Sequence, residues 1–105
     1  MRIKQWFCDL FNLKYEIDNL KFRKYLHQYL MANDLIHLET ITTNIQAFEH
    51  KDKYVLLITT HRPGMYIGRG GKTIDGISKN LNSRFGRKVE IDLKESKLWH
   101  NLYKF

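Results

Sequence analysis

The chain has 105 residues, 18 Lys and Arg against 11 Asp and Glu, a formal charge of +7, and 43% apolar with 13% aromatic residues. That length holds one hydrophobic core and not two, the apolar share excludes a disordered basic tail, and the charge favours an anionic partner without identifying it. Cys8 is the only cysteine, so an internal disulfide and a cysteine-rich zinc site are excluded and an intracellular setting is expected. His27, His37, His50, His61 and His100 fall at no tight metal spacing. No run reaches the ~18 apolar residues of a membrane span, so no metal, cofactor or membrane partner is expected. Alanine occurs only at Ala32 and Ala47 while Ile, Asn, Lys, Phe and Tyr abound, a bias associated with an AT-rich genome such as that of a mitochondrion, another organelle or a phage.

In chain order, Ile3, Trp6, Phe7, Leu10 and Phe11 recur at helical spacing and give the first segment one apolar face to bury. Docking on its own domain or on a neighbouring protein explains that face; Asp9 and only two nearby cations argue against a membrane surface. A helix is expected from an N-cap at Asp18 or Asn19 to Asn33, with Phe22, Tyr25, Leu26, Tyr29 and Leu30 facing inward and Lys21, Arg23 and Lys24 outside. Those cations read first as a solvated face and second as an RNA contact. Thr40 to Phe48 is a strand with Ile41, Thr43, Ile45 and Ala47 alternating, His50-Lys51-Asp52 is a turn, and Tyr54 to Thr60 is a strand. Its run Val55-Leu56-Leu57-Ile58 implies burial on both faces.

A short helical turn then follows Pro63, and a helix from about Lys72 to Phe85 places Ile74, Ile77 and Leu81 on one stripe, with Gly86 as its stop. Val89, Ile91 and Leu93 close the chain's last strand, and Leu98, Trp99, Leu102 and Phe105 form an amphipathic tail. The fold class is therefore α+β, with a helix layer on one face of a three-stranded sheet. Residues 1–17 read as an N-terminal extension, 18–94 as the domain, and 95–105 as the tail.

Between the second strand and the long helix lies the most informative stretch, His61-Arg-Pro-Gly-Met-Tyr-Ile-Gly-Arg-Gly-Gly-Lys-Thr-Ile74. Its glycines Gly68, Gly70 and Gly71 admit positive φ and close approach of another chain, and the N–H groups opening the next helix face an anion. A Walker A loop would need glycine where Tyr66 stands, and a dinucleotide fingerprint would need it where Thr73 stands. Ile67-Gly68-Arg69-Gly70-Gly71 instead matches every fixed position of Ile-Gly-x-x-Gly, a helix-loop-helix clamp for single-stranded nucleic acid.

This stretch resembles the KH domain, and Arg62-Pro63-Gly64 before it narrows the resemblance to type II KH domains of the small-subunit ribosomal protein three family. Lys53 to Thr60 looks like that family's strand before the loop, Arg87 to Leu93 like its last strand, Phe22-Arg23-Lys24-Tyr25-Leu26 like its basic first helix, and Trp6-Phe7 like its N-terminal aromatic pair. His61 departs from the pattern, since a small residue is usual there; the hairpin from Glu39 to Lys53 is longer than expected. The chain stops where the family's second domain would begin, so a separate chain is the candidate source of that domain. The resemblance implies an αββααβ core with a mixed sheet, and four unpaired nucleotides in a groove beside the glycine loop.

On that basis Gly68, Arg69, Gly70 and Gly71 are expected on phosphates, Ile67, Ile74 and Ile77 either on the groove floor or in the core, and Arg62, Lys72, Lys79 and Arg84 as outer contacts. Asp75 stands at the mouth. Asp75, Asp92 and Glu95 read as surface acids, and no nucleophile-base-acid set is visible, so an enzyme is the weakest class. The expected function is a non-enzymatic RNA-binding protein of the small ribosomal subunit, with ribosomal RNA and neighbouring ribosomal proteins as partners. The alternatives are a free-standing regulatory or phage-encoded KH protein and a KH fold kept only for protein contacts.

Overall fold

The computed structural model describes residues 15–96. The amphipathic segments read at the two termini lie outside these residues. Strand β1 spans Tyr15–Ile17, helix α1 Leu20–Ala32, the short helix α2 His37–Thr40, and strands β2 and β3 Thr42–His50 and Lys53–Thr60. Helix α3 follows at Pro63–Ile67, then a 3₁₀ turn Arg69–Gly71, helix α4 at Lys72–Phe85 and strand β4 at Val89–Glu95. The αββααβ core is thus α1, β2, β3, α3, α4 and β4.

The sheet is mixed, in the order β1-β2-β3-β4. β2 and β3 form an antiparallel hairpin closed by Lys51-Asp52, with Lys51 at φ 57°. β4 returns parallel to β3, from Tyr54↔Val89 to Thr60↔Glu95, because α3 and α4 carry the chain back across one face. The expected three strands become four. Tyr15-Glu16-Ile17, read as the end of the extension, is too short to show a period of two, yet it pairs antiparallel with β2. Two side-chain bonds hold it: the Tyr15 hydroxyl donates to Glu49 Oε1 at 2.8 Å, and Gln46 Nε2 donates to Glu16 Oε2 at 3.3 Å.

All four helices contribute to one core, on one side of the sheet. Phe22, Leu26 and Leu30 enter from α1, Leu38 from α2, Tyr66 from α3, and Ile77 and Leu81 from α4, over Ala47, Leu56, Ile58 and Val89. Each full burial is worth roughly 1.5–3 kcal/mol, and the four-residue spacing of Phe22, Leu26 and Leu30 is what makes α1 dock. Phe22 stacks on Phe85 at 4.3 Å between ring centres and meets Tyr54 edge-on at 5.3 Å, tying α1, α4 and β3 together. Val55 and Leu56, which point to opposite faces of this central strand, are both almost fully buried.

Three local readings shift. The first hairpin strand begins at Thr42 and ends at His50 because His37–Thr40 coils into α2. A bulge between Thr42 and Asn44 then breaks the alternation, leaving Thr43 exposed while Ile45 and Ala47 keep the inward face. Asn19 occupies the N-cap of α1 but makes no cap bond there; its side-chain amide donates to the Ile45 carbonyl and pins the helix start to β2. Gly86 ends α4 in the left-handed region at φ 63°, its N–H on the Asn82 carbonyl.

Candidate functional site

Local sequence explains how the glycine loop is presented. Arg62 precedes proline and is extended, at φ −138° and ψ 81°, and Pro63 starts α3 where no N–H partner is needed. Tyr66 anchors this one-turn helix: only 1% exposed, its hydroxyl bonds the Thr42 side chain and reaches the Leu38 carbonyl at 3.5 Å. With Tyr66 turned in, Met65 and Ile67 are turned out, at 40% and 42% exposure. Burial pushes the Tyr66 phenol above its ordinary value, opposed by the bond to Thr42.

Beyond Ile67 the backbone takes conformations that side chains rarely adopt. Gly68 sits at φ 73°, ψ 179°, Gly70 at φ 63°, ψ 19°, and Gly71 at φ 78°, ψ 11°. A β-carbon on Gly68 would lie 2.3 Å from Thr73 Oγ1, so this glycine is also demanded by close approach to the first turn of α4. Gly68 N–H donates to the Gly64 carbonyl at 3.0 Å and Gly71 N–H to the Gly68 carbonyl at 3.2 Å, which folds the loop back on itself. Arg69 and Gly70 project at its exposed tip.

The structure gathers some of the candidate residues and disperses others. Arg62, Arg69 and Lys72 are all exposed around the loop, and none makes an ion pair among the described residues. Asp75, exposed in the first turn of α4, is the nearby acid and complements the helix dipole. Ile67 and the half-buried Ile74 remain available beside the loop. Ile77 is completely buried in the core and cannot floor an open groove. Arg84 is corrected too: twelve residues after Lys72, roughly 18 Å along the helix, its guanidinium lies 4.1 Å over the Tyr25 ring and donates to Gln28 Oε1 at 2.9 Å. Lys79 is exposed two turns from the loop.

Thr73 and Tyr66 were missed as positioning residues. An aromatic one residue before Ile67 was the only sequence signal for the second, and nothing in the sequence signalled the contact of Thr73 with Gly68. His61, unusual for its position, donates its N–H to the Ile41 carbonyl at 2.9 Å, and its Nδ1 is buried without a hydrogen bond among the described residues. A concavity of about 630 Å³ lies away from the loop, between α1 and β2, and shares only Tyr66 with it. A protruding backbone clamp needs no deep cavity, so we place the candidate site on the loop and not there.

The family model described as KH domain matches residues 26–99. The chain belongs to the KH domain family. Small ribosomal subunit protein uS3 of Streptococcus equi subsp. zooepidemicus, of Streptococcus pyogenes serotype M1 and of Streptococcus agalactiae serotype III are each 30% identical to it over 80 residues. That stretch is 73% of this chain and 37% of each relative. The chain thus matches little more than a third of the length of these relatives. The mixed sheet with α3, the glycine turn and α4 between parallel strands is the type II arrangement expected from the resemblance.

Proposed function

We propose that this is a non-enzymatic, uS3-like RNA-binding protein of the small ribosomal subunit, which holds a single-stranded segment of ribosomal RNA by its sugar-phosphate backbone at Gly68 to Gly71. The observation that carries this reading is the exposed loop itself: three positive-φ glycines at the N-terminus of a 14-residue helix, with Arg69 at the tip. The N–H groups of Gly68, Gly71 and Lys72 are bonded within the loop, so it is the dipole of the helix behind it that favours an anion, and Arg62, Arg69 and Lys72 add charge around it. Ile67 and Ile74 offer apolar surface for unstacked bases, which a phosphate-only site would not need. Lys79 is the outermost phosphate contact in this reading. Neighbouring ribosomal proteins are the remaining partners in this reading. A mitochondrial or phage origin rests on composition alone, and the relatives reported above are bacterial.

With about three phosphates engaged, log affinity falls with log salt at a slope near −2 for single strands. Crosslinking in native cells, followed by sequencing of the attached RNA, tests the assignment. One site in small-subunit ribosomal RNA, together with co-sedimentation with small subunits through high salt, supports it. Crosslinks scattered over transcripts with no ribosomal co-purification make the protein a free regulatory KH protein instead.

A further inference from the structure

Leu20, Arg23, Lys24 and His27 recur along α1 at spacings of three and four residues and so share one face of the helix. That face is one wall of the concavity of about 630 Å³ between α1 and β2. The other wall is the start of β2, where the bulge between Thr42 and Asn44 leaves Thr43 and Asn44 exposed side by side. Arg23 and Lys24 are exposed, and neither side chain pairs with an acid among the described residues. The nearby acids are engaged elsewhere: Asp18 accepts the Leu20 N–H at 3.2 Å, and Glu39 bonds His27. Leu20 is 65% exposed, Ile45 is half-buried, and the Asn44 side-chain amide makes no hydrogen bond among the described residues. Lys21, in the same cationic run, falls off this face and takes no part in the concavity.

We propose that this concavity is a second RNA contact, separate from the glycine loop, which takes an unpaired nucleotide with its flanking phosphates on Arg23 and Lys24. A phosphate arriving there breaks no ion pair, because neither cation holds a carboxylate. The volume falls in the range of about 300–1,000 Å³ typical of sites for small organic groups, more than a phosphate alone needs. An acidic peptide would use the two cations only. An unstacked nucleotide uses the whole lining: phosphate on the guanidinium and ammonium, base against Leu20 and Ile45, and base edge on the Asn44 amide. The glycine loop grips backbone and reads no base, so Asn44 gives the chain a means of selecting one. The proposal rests on RNA being the partner, and not on the loop being its first contact.

Titration of the full-length chain with mixed-sequence single-stranded RNA at low salt, followed by amide nuclear magnetic resonance, tests this. The Arg23, Lys24, Thr43 and Asn44 signals are expected to move, and to keep moving in the Arg69→Asp, Gly70→Asp chain, where the loop no longer contributes. Movement of loop signals alone would overturn the proposal and leave the loop reading intact; movement of the concavity alone would do the reverse. Signals at the concavity that move in the parent but not in the loop variant would report transmission through Tyr66, and overturn it too. So would signals that respond to polyglutamate and not to RNA, which makes an acidic protein the occupant. Arg23→Glu with Lys24→Glu should weaken RNA binding on the order of ten-fold or more. With two phosphates lost, the slope of log affinity on log salt should become shallower by about 1.4. Lys21→Glu with Lys88→Glu changes the charge equally at exposed positions outside the concavity, and its slope should match the parent. Equal slopes for the two double variants would overturn the proposal. Should the glutamate pair not fold, Arg23→Gln with Lys24→Gln reads the same change in slope.

Discussion

Replacing Gly68 by alanine tests the loop geometry where it is most constrained. At φ 73°, ψ 179° the residue occupies a region open essentially to glycine alone, which costs a side chain about 1–3 kcal/mol. The new methyl group would also lie 2.3 Å from Thr73 Oγ1, 2.7 Å from Thr73 Cβ and 3.1 Å from Thr73 N. Two of those atoms are fixed to the first turn of α4, so a rotamer change cannot relieve the contact and the helix start must move. Strain and overlap together should cost about 3 kcal/mol, and at ~4–8 °C per kcal/mol for a domain of this size the midpoint of thermal unfolding drops by more than ~10 °C. Gly70→Ala is the control: φ is 63° but nothing lies within 4 Å, so only the left-handed cost of about 1 kcal/mol applies. Thermal unfolding followed by circular dichroism measures both. Equal shifts for the two variants, or a Gly68→Ala midpoint within ~2 °C of the parent, would refute the packing of the loop against Thr73.

Other substitutions probe the frame that carries the loop. A β-carbon on Gly76 would meet the Tyr29 hydroxyl at 2.4 Å but the ring carbon beneath it at 3.5 Å. In a Tyr29→Phe background, Gly76→Ala should therefore stabilise α4 by up to ~1 kcal/mol, whereas in the parent it should not; denaturant midpoints for the four chains decide it. Arg87 donates to the carbonyls of Asp52 at 2.6 Å and Lys51 at 2.9 Å, pairs with Glu49 at 2.9 Å and lies 4.2 Å over Tyr54. Lysine cannot make that fork, so Arg87→Lys should lose about 1–3 kcal/mol in chemical denaturation, and a loss under ~0.5 would deny the cluster its role. Because burial raises the Tyr66 phenol, the folded state holds its proton when the unfolded state has released it. Stability should therefore fall as pH climbs past about 10, and Tyr66→Phe should flatten that part of the profile.

Elements with a long period or a stereochemical marker were legible in the sequence. Helix α4 was bounded by glycines and carried a stripe at 74, 77 and 81; its limits are those expected. The hairpin strands were marked by β-branched and apolar runs, and Gly86 by its place after the last periodic residue. Three-residue β1 was not legible, because its pairing is decided by the free edge of β2 and by Glu49 and Gln46, more than 25 residues away. The bulge at Thr43 was equally hidden, since α2 and not the strand's own pattern fixes where β2 begins. At the site, the motif located the loop and its three positive-φ glycines. It did not separate Ile74 from Ile77, because spacings of three and four residues serve a groove and a core alike and only burial tells them apart. Arg84 read as a phosphate contact by charge, whereas Tyr25 and Gln28, brought beside it by helix packing, give it a structural task.

The central claim is that the loop at Gly68 to Gly71 grips the RNA backbone, and the most direct measurement is the affinity of single-stranded small-subunit RNA for the Arg69→Asp, Gly70→Asp double variant. Both positions are exposed, Gly70 has open space around it, and Asp tolerates the left-handed region better than most residues. The domain should therefore stay folded while two negative charges stand where phosphates would sit. The account predicts loss of measurable binding at a salt concentration where the parent binds, with an unchanged circular dichroism spectrum. Binding by the folded variant with the affinity and salt dependence of the parent would contradict it.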